Sequence, residues 1–344
     1  MAKGVVAPVA SGKVARRTVV SDVAALLDSP EISALIQELE ARRWTGRKGF
    51  GTRALIGACL VKSLYGLPTW TMTAALIAEH PGLQDALGGT PSCWAMYRFS
   101  RKLRENRPAL NACRDACAAS LRSQYPELGR DVAIGASNLP AFANGQKYVW
   151  QGGPEREKYS DLDASWGHRS ALATRAAGSF YGYKIHMAVD TKTDLPLAWE
   201  ISTAKRNESK FVAPLLDALH ARGFKPEAVA CDKAYDHNFV YAECEARGCE
   251  PIIPLRGTKK NQPALPLAIG GRLFPHTPRH TQRFKDLYRG RGACEREFGR
   301  LKHDHGLDRL RVRGLERVQL HADLTILARL AQALNRAREM PLAA

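Results

Sequence analysis

The run Tyr288-Arg-Gly-Arg291-Gly-Ala-Cys-Glu295-Arg-Glu-Phe-Gly-Arg-Leu-Lys302 carries the reading of the whole chain. Tyr288, Arg291 and Lys302 stand at −7, −4 and +7 from Glu295. At about 100° per residue, all four positions fall on one stripe of a single α-helix. A tyrosine, two cations and a carboxylate make a poor core stripe but suit the edge of a polar cleft. Cys294, Phe298 and Leu301 lie roughly a quarter-turn away. The helix is therefore expected to pack these three on a sheet while Glu295 looks sideways.

Upstream, Glu227-Ala-Val-Ala-Cys-Asp232-Lys-Ala-Tyr-Asp236 reads as a short buried strand that ends in an acid and enters a polar turn. Taken alone, Asp232 reads equally as the cap of a helix starting near Asn238 or as a catalytic group. The spacing Tyr-x2-Arg-x3-Glu-x6-Lys, with this acid before it, resembles the signature of bacterial insertion-sequence transposases of the DDE class, the YREK group. The resemblance covers about residues 45 to 340. It implies an RNase H-like catalytic domain in which Asp232 and Glu295 are catalytic and ligate Mg²⁺ or Mn²⁺. Carboxylates suit that role, because hard cations prefer oxygen ligands. Two such ions about 3.5–4 Å apart activate the attacking oxygen and stabilise the leaving one. Lys302 would then bind a phosphate as a point charge, with Tyr288 and Arg291 positioning the strand.

The third carboxylate of that pattern is missing. The family's first Asp sits on the first strand of the sheet, and the matching stretch here is Asp131-Val-Ala-Ile-Gly135-Ala-Ser137. The resemblance places the acid at Gly135, which has no side chain to offer. Asp131 shares its face in a strand but lies some ~13 Å away. Asp161 and Asp163 resemble a separate motif in the following loop. Gly135 is read as a lost ligand, so the chain is expected to be a transposase by ancestry and impaired as it stands. A second reading is a transposase-derived protein that occupies DNA ends without cutting them. A third, a free-standing RNase H-like nuclease, explains the carboxylates but not the N-terminal helices.

Composition agrees with a polyanionic partner. The 344 residues carry a formal charge of +17 with 45% hydrophobic content, enough for two domains and a substantial core. Arg256 to Arg317 holds sixteen Lys/Arg against six Asp/Glu, so the excess surrounds the proposed active-site helix. The expected partner is double-stranded DNA, both terminal inverted repeats and target, bound by a homodimer. No run approaches the ~20 apolar residues of a membrane span, and the first ten residues lack a secretory core. The expected location is cytoplasmic, at the nucleoid. The eight cysteines follow no zinc spacing and are expected to be small buried residues.

Along the chain, residues 1–20 read as a basic flexible arm, 21–127 as an all-α DNA-binding domain and 128–340 as the catalytic α/β domain. In the helix from Cys93 to Glu105, Met96, Phe99 and Leu103 form an apolar stripe and Arg98, Arg101 and Lys102 a basic one. Two readings fit that basic stripe, a DNA-contacting helix or an ordinary solvated surface. From Arg130 the pattern turns to strands: Asp131 to Gly135, then a hairpin of Ser179–Asp190 and Leu195–Thr203. A strand–helix alternation follows, expected to form a mixed sheet flanked by helices. Tyr181-Gly-Tyr-Lys184-Ile-His186 resembles a family strand whose Lys184 and His186 share one face and would contact DNA near the metal site if that face is the open one. The forty-odd residues after the first strand suggest a functional loop, with Tyr148, Trp150 and Trp166 as stacking or anchoring aromatics. The final helix, Leu315 to about Arg338, is expected to pack on the sheet.

Overall fold

A computed structural model describes residues 18–42, 49–143, 160–169, 176–256 and 271–339. Tyr148, Trp150 and the arm up to residue 17 lie outside them. Seven helices come first: α1 (Val19–Asp28), α2 (Pro30–Ala41), α3 (Thr52–Leu64), α4 (Trp70–Glu79), α5 (Pro81–Leu87), α6 (Cys93–Glu105) and α7 (Arg107–Gln124). Their ends are set by local chemistry. The Thr69 hydroxyl accepts the Met72 N–H to start α4, and the Ser92 hydroxyl accepts that of Ala95 to start α6. Pro sits in the first turn of α2, α5 and α7, where no N–H is needed.

The sheet follows, with β1 (Asp131–Pro140), β2 (Ser165–Arg169), β3 (Gly178–Asp190), β4 (Pro196–Thr203), β5 (Ala228–Ala230) and β6 (Glu250–Ile252). β1 lies between β3, antiparallel to it, and β5, parallel to it. β6 extends the parallel side. Along the other edge of β3, β2 pairs its first part and β4 its second. An antiparallel meander followed by two parallel strands, with helices against both faces, is an RNase H-like sheet. The first strand runs five residues further than the sequence suggested, because β3 pairs with it as far as Pro140↔Gly182. Trp166, expected in a loop, stands on β2 with its ring 5.6 Å from that of Tyr181.

One face of the sheet is covered by a 3₁₀ turn, Glu208–Phe211, leading into α8 (Val212–Ala221). Next come α9 (Asn238–Glu245), α10 (Gln282–Arg289) and α11 (Gly292–His303). α11 lies across β1 and β3, burying Cys294, Phe298 and Leu301 as the sequence predicts. The continuous helix expected from Tyr288 to Lys302 is instead two helices. The break falls at Gly290 and Arg291, where i→i+3 hydrogen bonds take over. Gly290 passes so close to Thr191 that a Cβ there would lie 2.7 Å from its Cγ2, so only glycine fits.

α12 (Leu315–Glu339) ties the molecule together. It packs on β4, as predicted for the sheet, but packs more extensively on α7 and α3 of the helical layer. Trp199 of β4 donates its indole N–H to Asp323 at 2.8 Å, and Arg338 reaches Glu31 of α2 at 2.6 Å. A single apolar core consequently runs from α1 to the sheet. Between α11 and α12, Glu297 is buried against Arg329 at 3.0 Å, with Arg300 on its other oxygen. Arg329→Met should destabilise the protein by about 3 kcal/mol, near the lower end for breaking a buried pair because Arg300 remains. The double variant Glu297→Leu/Arg329→Met should recover most of that loss in urea unfolding. Equal losses for the single and double variants would show that packing, not stranded charge, sets the cost.

Candidate active site

Register decides which residues meet. Asp131 pairs with Ala228 and Ala133 with Ala230 across β1 and β5. The ladder ends there, with Gly135 two residues past its last pair on β1 and Asp232 two residues past it on the other chain. Asp232 stands two residues past the end of β5, still extended, and its carboxylate accepts the Ala234 N–H at 2.6 Å to open a short 3₁₀ turn. The acid thus caps, as one of its two sequence readings had it, but it caps this turn rather than α9.

Glu295 stands in the first turn of α11 with its side chain two-thirds exposed. Arg291 joins the two acids. One guanidinium nitrogen donates to Glu295 at 2.6 Å, and another lies 3.8 Å from Asp232. Two acids with 62 residues between them in sequence, one just past a strand and one in the first turn of a helix, therefore share one cation. Tyr288 sits beside them at the end of α10, half-buried on Ala228, Ala230, Ile252 and Phe284. Burial pushes its phenol pKa up. Lys302, at the far end of α11, donates to the Asn138 carbonyl at 2.8 Å, beside the second half of β1.

Gly135 faces α11. A Cβ built on it would lie 3.4 Å from the Cys294 Cβ and 3.6 Å from the Phe298 ring, ordinary contact distances. The position therefore has room for a Cβ and lacks one. No other acid stands in for it among the described residues, where no cluster of three or more metal-ligating side chains occurs. Asp131 lies at the opposite end of β1, beside the start of β5. Asp161 accepts the Gly314 N–H at 3.2 Å and the Tyr183 hydroxyl at 2.8 Å, and Asp163 accepts the Leu315 N–H at 2.8 Å. Both acids are spent on fastening the start of α12. Asp232 and Glu295 offer oxygen donors of the kind a hard divalent ion takes.

Lys184 and His186 do not reach this cleft. Gly135 pairs with Met187, whereas Ala136 pairs with His186 and Asn138 with Lys184. Neighbouring residues on a strand point to opposite faces, so Lys184 and His186 lie on the face away from α11. Lys184 is paired with Glu208 at 2.8 Å, and His186 is buried, stacked on Phe211 at 3.6 Å and hydrogen-bonded to Ser202. As they stand, neither offers DNA a surface. Arg98, Arg101 and Lys102 are exposed on α6, with Glu105 3.9 Å from Arg101. Sequence reasoning passed over Trp94 and Tyr97, two exposed rings on that helix. Their signal was present, since both fall off the Met96–Phe99–Leu103 stripe.

Residues 149–331 match the transposase DDE domain family, and with more than half of the chain inside the match, the chain belongs to that family. No curated protein matches it. Members of the family are transposases that act on DNA and use divalent metal ions. No helix among the described residues is long and apolar enough to cross a membrane.

Burial, with the Lys184 charge adding to it, holds the His186 pKa down to about 3. The unfolded chain binds a proton near pH 6.5 that the folded protein refuses. His186 thus costs nothing above pH 6.5 and destabilises increasingly as pH falls from there toward 3. The urea midpoint should drop between pH 7.5 and pH 5, and His186→Gln should flatten that drop. An unchanged slope in the variant would place the acid sensitivity elsewhere.

Proposed function

We propose that this chain is a transposase of the YREK group, with Asp232, Glu295 and position 135 as its catalytic set. The observation that carries the reading is the convergence of Asp232 and Glu295 on Arg291. Asp232 and Glu295 would hold a divalent ion, whose chemistry there is to polarise phosphodiester oxygens and lower the pKa of an attacking hydroxyl. In the reaction, a water oxygen bonds to phosphorus at the element's end and the 3′ oxygen leaves as a hydroxyl. That 3′-OH then attacks a target phosphodiester, forming one P–O bond and breaking another. Arg291 and Tyr288 orient the strand at the carboxylates, and Lys302 offers a point charge along β1. The helical unit of residues 21–127, with Arg98, Arg101 and Lys102, holds duplex DNA as a homodimer contacting terminal repeats and target. A cytoplasmic, nucleoid-bound protein fits this role.

Gly135 favours a second reading, a DNA-binding descendant that no longer cuts. Two carboxylates hold one ion and leave a second under-ligated. Gly135→Asp, whose Cβ has room, should therefore raise Mg²⁺-dependent cleavage of DNA carrying the encoding element's ends by about 100-fold or more, the scale of one charge-stabilising group. Glu295→Gln in that background should abolish the gain. Equal cleavage by the unaltered chain and the Gly135→Asp form would mean that another group completes the site.

DNA binding is independent of that defect, because phosphate contacts come from the basic surface. Affinity for end DNA, read by fluorescence anisotropy, should fall by about 1,000-fold between roughly 50 and 200 mM salt. Salt-independent affinity, or no binding at the lower salt, would remove the DNA reading.

A further inference from the structure

A cavity of about 620 Å³ opens between the helical layer and the catalytic unit, away from the carboxylates. α3, α4 and α6 form one side, and Phe142 after β1, residues 311–313 and the start of α12 form the other. Its floor is apolar, with Trp70, Leu320 and Leu324 buried. Its rim carries three large exposed rings: Trp94 at 70%, Tyr97 at 48% and Phe142 at 41%. Single exposed rings are common on soluble proteins, but three around one opening mark a contact surface.

The charge of the lining is of one sign. It holds seven Lys and Arg and no Asp or Glu. Arg311 and Arg313 lie over the Phe142 ring at 4.7 and 5.4 Å, and Arg313 donates to the Phe142 carbonyl at 2.9 Å. Lys62 stands over Trp70 at 5.4 Å, and burial draws its pKa down to about 8. Among the described residues, no carboxylate within salt-bridge distance answers Lys62, Arg98, Arg311 or Arg317. Each cation over a ring is attracted to it, but like charges gathered around one opening repel one another, and an occupant with negative charge and flat faces relieves that repulsion.

A strand of nucleic acid has both. A base offers a π face to each ring, whatever its sequence, while the flanking phosphates meet the guanidinium groups. The volume falls within the range of small-ligand pockets, roughly 300–1,000 Å³, and too small to take in a duplex. The opening also lies at the end of the strand that carries Gly135. Gly135 and Phe142 are seven residues apart, roughly 20 Å of extended chain. We propose that this cavity receives an unpaired nucleotide of the DNA strand, its base stacked among Trp94, Tyr97 and Phe142 and its phosphates held by Arg98, Arg311 and Arg317. The inference rests on the DNA-transposing reading and adds to it a site for single-stranded DNA beside the duplex surface.

Three labelled hairpin duplexes of one mixed sequence test it by anisotropy: one blunt, one with a short oligothymidine tail, one with an abasic tail of equal length. The thymidine tail should tighten binding by about 10-fold over the blunt form, as expected for stacking one or two bases. The abasic tail, which keeps the phosphates, should give much less. Trp94→Ala should remove the thymidine gain and leave blunt-duplex affinity unchanged. Because Trp94 is exposed, its loss should also leave the melting temperature unchanged, and Phe142→Ala should repeat the result from the other wall. Equal affinity for all three hairpins would overturn the inference alone, as would a thymidine gain that survives both substitutions. Binding to none of them at low salt would remove the DNA reading as well.

Discussion

The pairing of β1 constrains everything else in this structure. That strand is hydrogen-bonded antiparallel to β3 on one side and parallel to β5 on the other, so its register is fixed twice. A slip of one residue would turn Val132, Ile134 and Ala136 toward α11 and carry Gly135 to the opposite face. The buried side chains of Val132, Ala133 and Ile134 oppose such a slip from both faces. Because β5 shares this register, Asp232 and Gly135 each lie two residues past the same last pair of the ladder. α11 then needs only to lie across β1, held by Cys294, Phe298 and Leu301, for its first turn to deliver Glu295.

The electrostatics of the cleft follow from that placement. Two carboxylates converge where a single guanidinium answers both, one through a short hydrogen bond and the other through a longer charge contact. An arginine is a permanent cation and can balance charge, but it cannot polarise a bound oxygen as a small divalent ion does. The arrangement therefore reads as a charge-compensated cleft with room beside it at position 135. Cys294 defines that room: its thiol donates to the Ala133 carbonyl at 3.2 Å and stays buried, which pushes its pKa up and keeps it unreactive.

Much of this was legible in the sequence, for physical reasons that differ by element. The helix from Cys93 to Glu105 has a Ser cap and a clean apolar stripe, and its bounds could be read directly. The β3–β4 hairpin declared itself by two apolar runs across a polar turn. The strand end at Asp232 and the buried face of α11 were equally open to periodicity. The break at Gly290 was not, because helical spacing carries no information about Thr191 closing in from another element. Alternation along β3 put Lys184 and His186 on one face but could not say which, and the pairing with β1 assigns them to the far one. The cavity was also hidden, since its walls come from α3, α6, Phe142 and α12, more than two hundred residues apart. Only the two rings off the apolar stripe of α6 hinted at it.

On the proposed function, Asp232, Glu295 and position 135 surround one metal position. Anomalous scattering from Mn²⁺-soaked crystals of the Gly135→Asp protein tests it most directly, with the unaltered chain as comparator. The expected result is a peak about 2.1–2.3 Å from oxygens of all three carboxylates, the distance for a hard ion held by oxygen, with Arg291 moved aside, and a weaker peak or none in the unaltered chain. A peak elsewhere, or an ion bound with equal occupancy in both proteins, would contradict it.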